Sequence, residues 1–194
     1  MLTAPLLFVA TLHTINTDAI ESSIAQYSIR QDQGQDQKVQ TKLLLAPGTT
    51  APDFSVERWG GGDLKLSAFK GKIVVVDFWT TTSMPSLNTL AHNEAINKLA
   101  KDQGVVVLEI NSWDTKANYE AYLTKEGANY TTYFGLDPAG TDDSNIAKKH
   151  YQVTELPTAY VIDKDGKVAD AIVGYKDEDK RLDEALKKLG VKLE

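Results

Sequence analysis

Residues 73–86 read Ile73-Val74-Val75-Val76-Asp77-Phe78-Trp79-Thr80-Thr81-Thr82-Ser83-Met84-Pro85-Ser86, and the fold turns on how this stretch changes character. Its first half is an unbroken β-branched and aromatic run, the pattern of a strand covered on both faces. A polar corner follows. Pro85 then suits the first turn of a helix, where a missing N–H leaves no hydrogen bond unmade. Beyond it Leu87, Leu90, Ala91, Ile96, Leu99 and Ala100 recur at helical spacing ahead of Gly104. A strand that runs straight into a helix sets Ser83 to Ser86 at unpaired backbone N–H groups and at the positive end of the helix dipole.

The flanking sequence builds a domain around that corner. Ala51-Pro52-Asp53-Phe54-Ser55-Val56 is extended, Gly60-Gly61-Gly62 turns the chain, and Leu64-Lys65-Leu66 alternates as a half-buried strand does. Val105 to Ile110 is a second buried strand. Ala117 to Glu126 is a second helix, closed by Gly127, and Asn145 to Tyr151 is a short third one. Thr158 to Ile162 and Lys167 to Val173 are strands joined by the hairpin turn Asp163-Lys164-Asp165-Gly166. A last helix shows Leu182, Ala185, Leu186 and Leu189 on one face, with Lys187 and Lys188 in its final turn and Gly190 after it. The order β-α-β-α, β-hairpin, α predicts an α/β domain whose mixed central sheet carries helices on both sides. Residues 28–40 are rich in Gln and Asp, and Ala46-Pro47-Gly48 marks a turn. Residues 1–47 therefore read as an N-terminal extension or linker, partly helical, and 48–194 as the globular domain.

Composition narrows the chemistry. The 194 residues are 42% hydrophobic and 25% charged, with a net charge of −6 and no cluster of Lys and Arg, which argues against a nucleic-acid partner. Met1 to Leu12 is apolar. It is shorter than the roughly 20 residues a membrane-spanning helix needs, and it lacks the basic start of a signal peptide. It reads as a segment packed on the body or as the cut edge of a longer protein. There is no cysteine, so disulfide scaffolding, thiolate catalysis and Cys-ligated zinc are excluded. No metal and no cofactor are expected. Asp163-Lys164-Asp165-Gly166 has too few ligands for a calcium loop, and Asp142-Asp143 reads as a solvated helix start. Tyr119, Tyr122, Tyr130 and Tyr133 are spaced for helix and strand packing rather than as a binding stripe.

A serine nucleophile needs a positioned base. His92 lies six residues after Ser86, about 240° round the same helix, and so points away from it. His150 ends another helix, and no G-x-S-x-G elbow is present. Hydrolysis is not expected. Thiol-based peroxidase chemistry also requires the missing cysteine.

The segment from Ala51-Pro52-Asp53-Phe54 through Leu64-Lys65-Leu66-Ser67-Ala68-Phe69-Lys70-Gly71-Lys72 to Trp79 resembles the opening of thioredoxin-like domains of the TlpA-like thiol–disulfide oxidoreductase family. Leu156-Pro157-Thr158-Ala159-Tyr160-Val161-Ile162-Asp163-Lys164-Asp165-Gly166 resembles the family's cis-proline loop and the strand and turn after it. The resemblance covers residues 48–190. It implies the thioredoxin-like fold and places Ser83 where the family has its attacking cysteine and Ser86 where it has the resolving one. Asp77 falls at the acid that assists proton transfer. The resemblance also implies a groove at Ser83, Leu156 and Pro157, with Trp79 at its edge, that takes an extended peptide or protein segment as an added strand. It favours an extracytoplasmic setting, periplasm or cell envelope.

A serine hydroxyl is not ionised near neutral pH and forms no bond equivalent to a disulfide, so this chain cannot exchange disulfides. Two readings of the serines follow. In one, a thioredoxin-like domain has lost its thiols and persists as a non-catalytic binding or structural module. Thr82, where the family has Trp, supports this. In the other, the chain is a Cys→Ser inactivated form of an oxidoreductase that acts on protein disulfides, and the final Leu193-Glu194 would be a vector remnant. Plainer roles are open beside the functional ones. Asp77 is a residual polar group satisfied by water or a nearby Lys, Ser83 is a helix cap with Ser86 as a helix-start residue, Trp79 is core, and Leu156-Pro157 is scaffold. Oligomeric state is not legible here.

Overall fold

The computed structural model describes residues 44–137 and 145–193. The expected extension over residues 1–47 falls almost wholly outside them, as does the reading of Asp142-Asp143. Seven strands form one mixed sheet: β1 (Ser55–Arg58), β2 (Asp63–Lys65), β3 (Ile73–Trp79), β4 (Val105–Asn111), β5 (Tyr133–Leu136), β6 (Thr158–Ile162) and β7 (Val168–Val173). The described helices are α1 (Met84–Ala100), α2 (Lys116–Glu126), α3 (Ile146–Lys149) and α4 (Arg181–Lys188). The strand order is β2-β1-β5-β4-β3-β6-β7, with β3, β4 and β5 parallel and the outer pairs antiparallel. This is the thioredoxin-like fold that the sequence predicts.

β3 is buried at all seven positions, which is why its sequence shows no polar alternation. Side chains of a strand point to opposite faces in turn, so Val74, Val76 and Phe78 serve one core, with Tyr151, Tyr160 and Leu108. Ile73 and Val75 serve the other, with Ile96 and Ala100 of α1 and Leu182, Ala185 and Leu186 of α4. Asp77 and Trp79 share that second face, the one toward α1.

Two details differ from the sequence reading. β5 was not expected between α2 and α3, because Gly135 interrupts its short run. A Cβ at that position would lie 2.5 Å from Val56 Cγ2 and 3.1 Å from Leu64 Cδ2, so a glycine lets the β1–β2 hairpin close over β5. The inner face of α1 also departs from the simple apolar stripe. Leu90, Ile96 and Ala100 are buried, but Leu99 is exposed and Ser86, Thr89, Asn93, Glu94 and Asn97 are buried instead. The helix covers a polar site as well as a core.

Candidate functional site

Ser83 and Ser86 flank the start of α1. Ser83 is the N-cap, with extended backbone (φ −116°), and its Oγ accepts the Ser86 N–H at 3.4 Å, with Pro85 in the first turn. Ser83 is half-buried, Met84 is exposed and Ser86 is completely buried. No described protein group bonds the Ser86 hydroxyl. The pair therefore has one outward and one sealed position.

The loop before the cap is held from β4. Asp114 is buried and accepts the Thr81 N–H at 2.7 Å, the Thr81 hydroxyl at 3.1 Å and Asn111 Nδ2 at 2.8 Å. Sequence reasoning did not single out Asp114. Its place three residues after the buried end of a parallel strand is the signal that was available. Replacing a buried acceptor strands its donors at a cost of about 1–3 kcal/mol. Asp114→Ala is therefore expected to lose about 2 kcal/mol in denaturant unfolding and to speed amide exchange at Thr81 and Thr82. An unchanged exchange rate at those two amides would count against this anchoring role.

Behind the cap lies Asp77, wholly buried on β3. Its described partners are side chains of α1 rather than a lysine. Oδ2 accepts the Thr89 hydroxyl at 2.9 Å and Asn93 Nδ2 at 3.1 Å, both from α1. Thr89 also reaches the Ser86 carbonyl at 2.7 Å, so Asp77 and the sealed serine are linked through one hydroxyl. Beside Asp77, in register on β4, is Glu109, also wholly buried. Asn93 Nδ2 donates to it as well, at 3.3 Å. Burial pushes both carboxyls up, Asp77 to about 7 and Glu109 well above the usual range, the charge of Asp77 raising Glu109 further. Glu109 was missed in the sequence. Its signal was a single acid inside Val105-Val106-Val107-Leu108-Glu109-Ile110.

Leu156 and Pro157 form the loop before β6. Their peptide bond is cis. Pro157 is buried and lines a cavity of about 20 Å³ together with Asp77, Thr89, His92, Asn93 and Tyr175, room for one water. Leu156 is half-buried and packs on the Phe78 core. The structure thus brings Pro157 beside Asp77 and the first turns of α1. His92 is committed elsewhere, its Nε2 lying 3.0 Å from Asp183 Oδ2. His150 is the exposed C-cap of α3. Trp79 requires a correction. Of its two readings, a groove-edge contact and core, the structure supports core alone: it is 0% exposed and packs on Tyr119, Tyr122 and Phe134. Its place on the inner face of the central strand leaves no surface for a ligand. Among the described residues no group of acidic and histidine side chains is arranged to hold a metal ion, and no helix is long and apolar enough to cross a membrane.

Comparison with known proteins agrees with this architecture. The model of the AhpC/TSA family matches residues 47–171. The thiol-disulfide oxidoreductase ResA of Geobacillus thermodenitrificans is 31% identical over 133 residues, covering 69% of this chain and 72% of that protein. Among solved structures, a putative thiol:disulfide interchange protein DsbE from Chlorobium tepidum superposes with a TM-score of 0.66 at 26% identity. That match covers 75% of this chain and 98% of the other. The exposed lipoprotein thioredoxin Etrx1 of Streptococcus pneumoniae gives 0.58 at 27% identity, over 70% and 99%. The chain belongs to the AhpC/TSA family, as a thioredoxin-like domain of the thiol–disulfide oxidoreductase kind that holds serine at both ends of its Ser83-Met84-Pro85-Ser86 turn.

Proposed function

We propose that this chain is a redox-inactive binding module that holds an extended segment of a partner polypeptide along the surface between Ser83-Met84 and Thr154-Glu155-Leu156. The observation that carries the reading is the absence of any cysteine in a chain whose helix start, Pro157 loop and central strand are intact. Met84 is 67% exposed beside the cap. It offers an adaptable apolar contact, and Leu156 offers a second. The exposed lipoprotein nature of the pneumococcal relative fits a cell-envelope setting for this one.

A permanently unfolded protein, reduced and alkylated so that it carries no thiol, is a suitable probe. Added to the full chain, it is expected to shift the amide resonances of Thr82 to Met84 and Thr154 to Leu156. Met84→Glu, at a side chain that is 67% exposed, is expected to weaken that binding about tenfold, a change of about 1.4 kcal/mol, with little change in melting temperature. Shifts spread evenly over the surface, or none, would refute the reading.

One observation favours the second reading, that the chain is the Cys→Ser form of an active oxidoreductase. Ser86 is fully buried with a hydroxyl that has no partner among the described residues, an environment that suits a weakly polar thiol better than a hydroxyl. The natural coding sequence separates the two readings, since cysteine codons at 83 and 86 would end the first.

A further inference from the structure

The binding surface makes no use of the second buried acid under α1. β3 and β4 run parallel with Asp77 beside Glu109 and Trp79 beside Asn111, so both acids project toward the same helix. Asn93 donates to both, and Thr89 donates to Asp77. The remaining oxygens, Asp77 Oδ1 and Glu109 Oε1, meet no donor from other described side chains or backbone. One amide nitrogen, Asn93 Nδ2, lies 3.1 Å from Asp77 Oδ2 and 3.3 Å from Glu109 Oε2, which sets the two carboxyls side by side beneath α1. We propose that Asp77 and Glu109 hold a proton between them that seats α1, the helix carrying Ser83 and Ser86, and that losing this proton loosens that helix.

Among the described residues no charged group is placed to neutralise the pair. From α1 come Thr89 and Asn93, both uncharged, and Glu94, a third acid. Glu94 is engaged by the Thr131 N–H and hydroxyl and by Lys98. His92 faces Asp183 of α4. Tyr175 and Asp179 line the small cavity, and Asp179 is bound to Arg181. β6 contributes Ala159, with Pro157 ahead of it. On the α2 side the Tyr122 hydroxyl is paired with that of Tyr130. Two adjacent carboxylates without a cation in a buried site repel each other. One proton between them turns that repulsion into a charge-assisted O–H···O⁻ bond. The donors that complete the site, Thr89 and Asn93, stand on successive turns of α1, so the helix is the part that gives way.

The direction of the pH effect follows from linkage. Both acids ionise in the ordinary carboxylate range when unfolded and above it when folded. The folded chain therefore binds the extra protons. Its stability is highest at low pH for these two groups and falls as pH rises through their folded-state values. For each proton involved, the folding equilibrium changes about tenfold per pH unit.

The test uses the full chain, ¹³C-labelled, with the carboxyl resonances of Asp77 and Glu109 followed from about pH 4 to about pH 9. Amide exchange over Ser86–Asn97 is measured in parallel and corrected for its intrinsic pH dependence. The expected result is a two-step titration with at least one step at or above neutrality, and a loss of protection in α1 that tracks it. Glu109→Gln keeps the shape and removes one step, so its folding equilibrium should fall about tenfold less per pH unit than that of the unchanged chain. If that variant does not fold, Asp77→Asn asks the reciprocal question and should bring the Glu109 step down. Both acids titrating in the ordinary range would overturn the proposal. So would a Glu109→Gln chain with the original pH slope, or a Glu109 step unmoved by Asp77→Asn.

Discussion

Restoring cysteine at both positions, Ser83→Cys with Ser86→Cys, is expected to give a chain that reduces a general protein disulfide at least about a hundredfold faster than the unchanged one, whose hydroxyls supply no thiolate. The geometry asks for little rearrangement, since each change replaces one oxygen by sulfur. A thiol at 83 would be half-exposed at the N-cap of a 17-residue helix. There the unpaired N–H groups and the dipole lower a thiol's pKa and so raise its thiolate fraction near neutral pH. A thiol at 86 would be sealed, reachable only through a disulfide already formed with position 83. The single variants should therefore differ. Ser83→Cys alone is expected to trap mixed disulfides without turnover, and Ser86→Cys alone to stay inert toward a protein substrate. Asp77 lies behind position 86, tied to it through Thr89, and provides a proton acceptor within the same network. A double variant that folds, forms its internal disulfide and still reduces nothing would show that the surroundings have drifted with the serines. The binding reading would then be the stronger of the two.

The fold was legible because it rests on runs that admit one interpretation. Ile73 to Trp79 is buried throughout, and its lack of alternation says so directly. Thr158 to Ile162 with its Asp163–Gly166 turn is equally plain, and strand and hairpin appear where the residues placed them. The cap was readable for the same reason, since serine ahead of proline at a strand's end has few other uses. What escaped notice depends on register rather than on local pattern. Glu109 looks like one polar residue in an apolar strand until parallel pairing sets it beside Asp77. Asn93 and Glu94 look like the solvated face of α1 until Asp77 and Glu109 give Asn93 its partners and Thr131 gives Glu94 its own. Leu99 looks like core by spacing and is 54% exposed, because the buried face of α1 is rotated toward the polar site. β5 was hidden by Gly135, a residue that normally weakens a strand and is needed here for the closeness of Val56. Trp79 was left between core and groove wall because it stands next to the Ser83 turn, while the strand's alternation, counted from Asp77, puts it inward.

That inward position makes Trp79→Ala the most damaging single substitution expected here, at about 3–5 kcal/mol. That is a large share of the roughly 5–15 kcal/mol that holds an ordinary domain together. The indole closes a cluster drawn from four elements. It stands 5.4 Å from the Tyr122 ring, 5.9 Å from Phe134 and 6.5 Å from Tyr119, with Leu90 of α1 in the same cluster. Truncation would leave α2 and β5 facing a void that the rigid central strand cannot move to fill. Trp79→Phe should cost far less, about 1–2 kcal/mol, because the indole N–H has no partner among the described residues and most of the aromatic contact survives. Urea unfolding of both variants measures the two costs, and a loss below about 1 kcal/mol for the alanine variant would contradict the packing described. The phenylalanine variant then separates structure from binding. A residue with no exposed surface cannot touch a partner, so Trp79→Phe should bind the unfolded-protein probe as the unchanged chain does. If its affinity instead fell about tenfold, a change of about 1.4 kcal/mol, while stability held, the indole would have to reach the groove in the bound state, and α1 would have to move to let it.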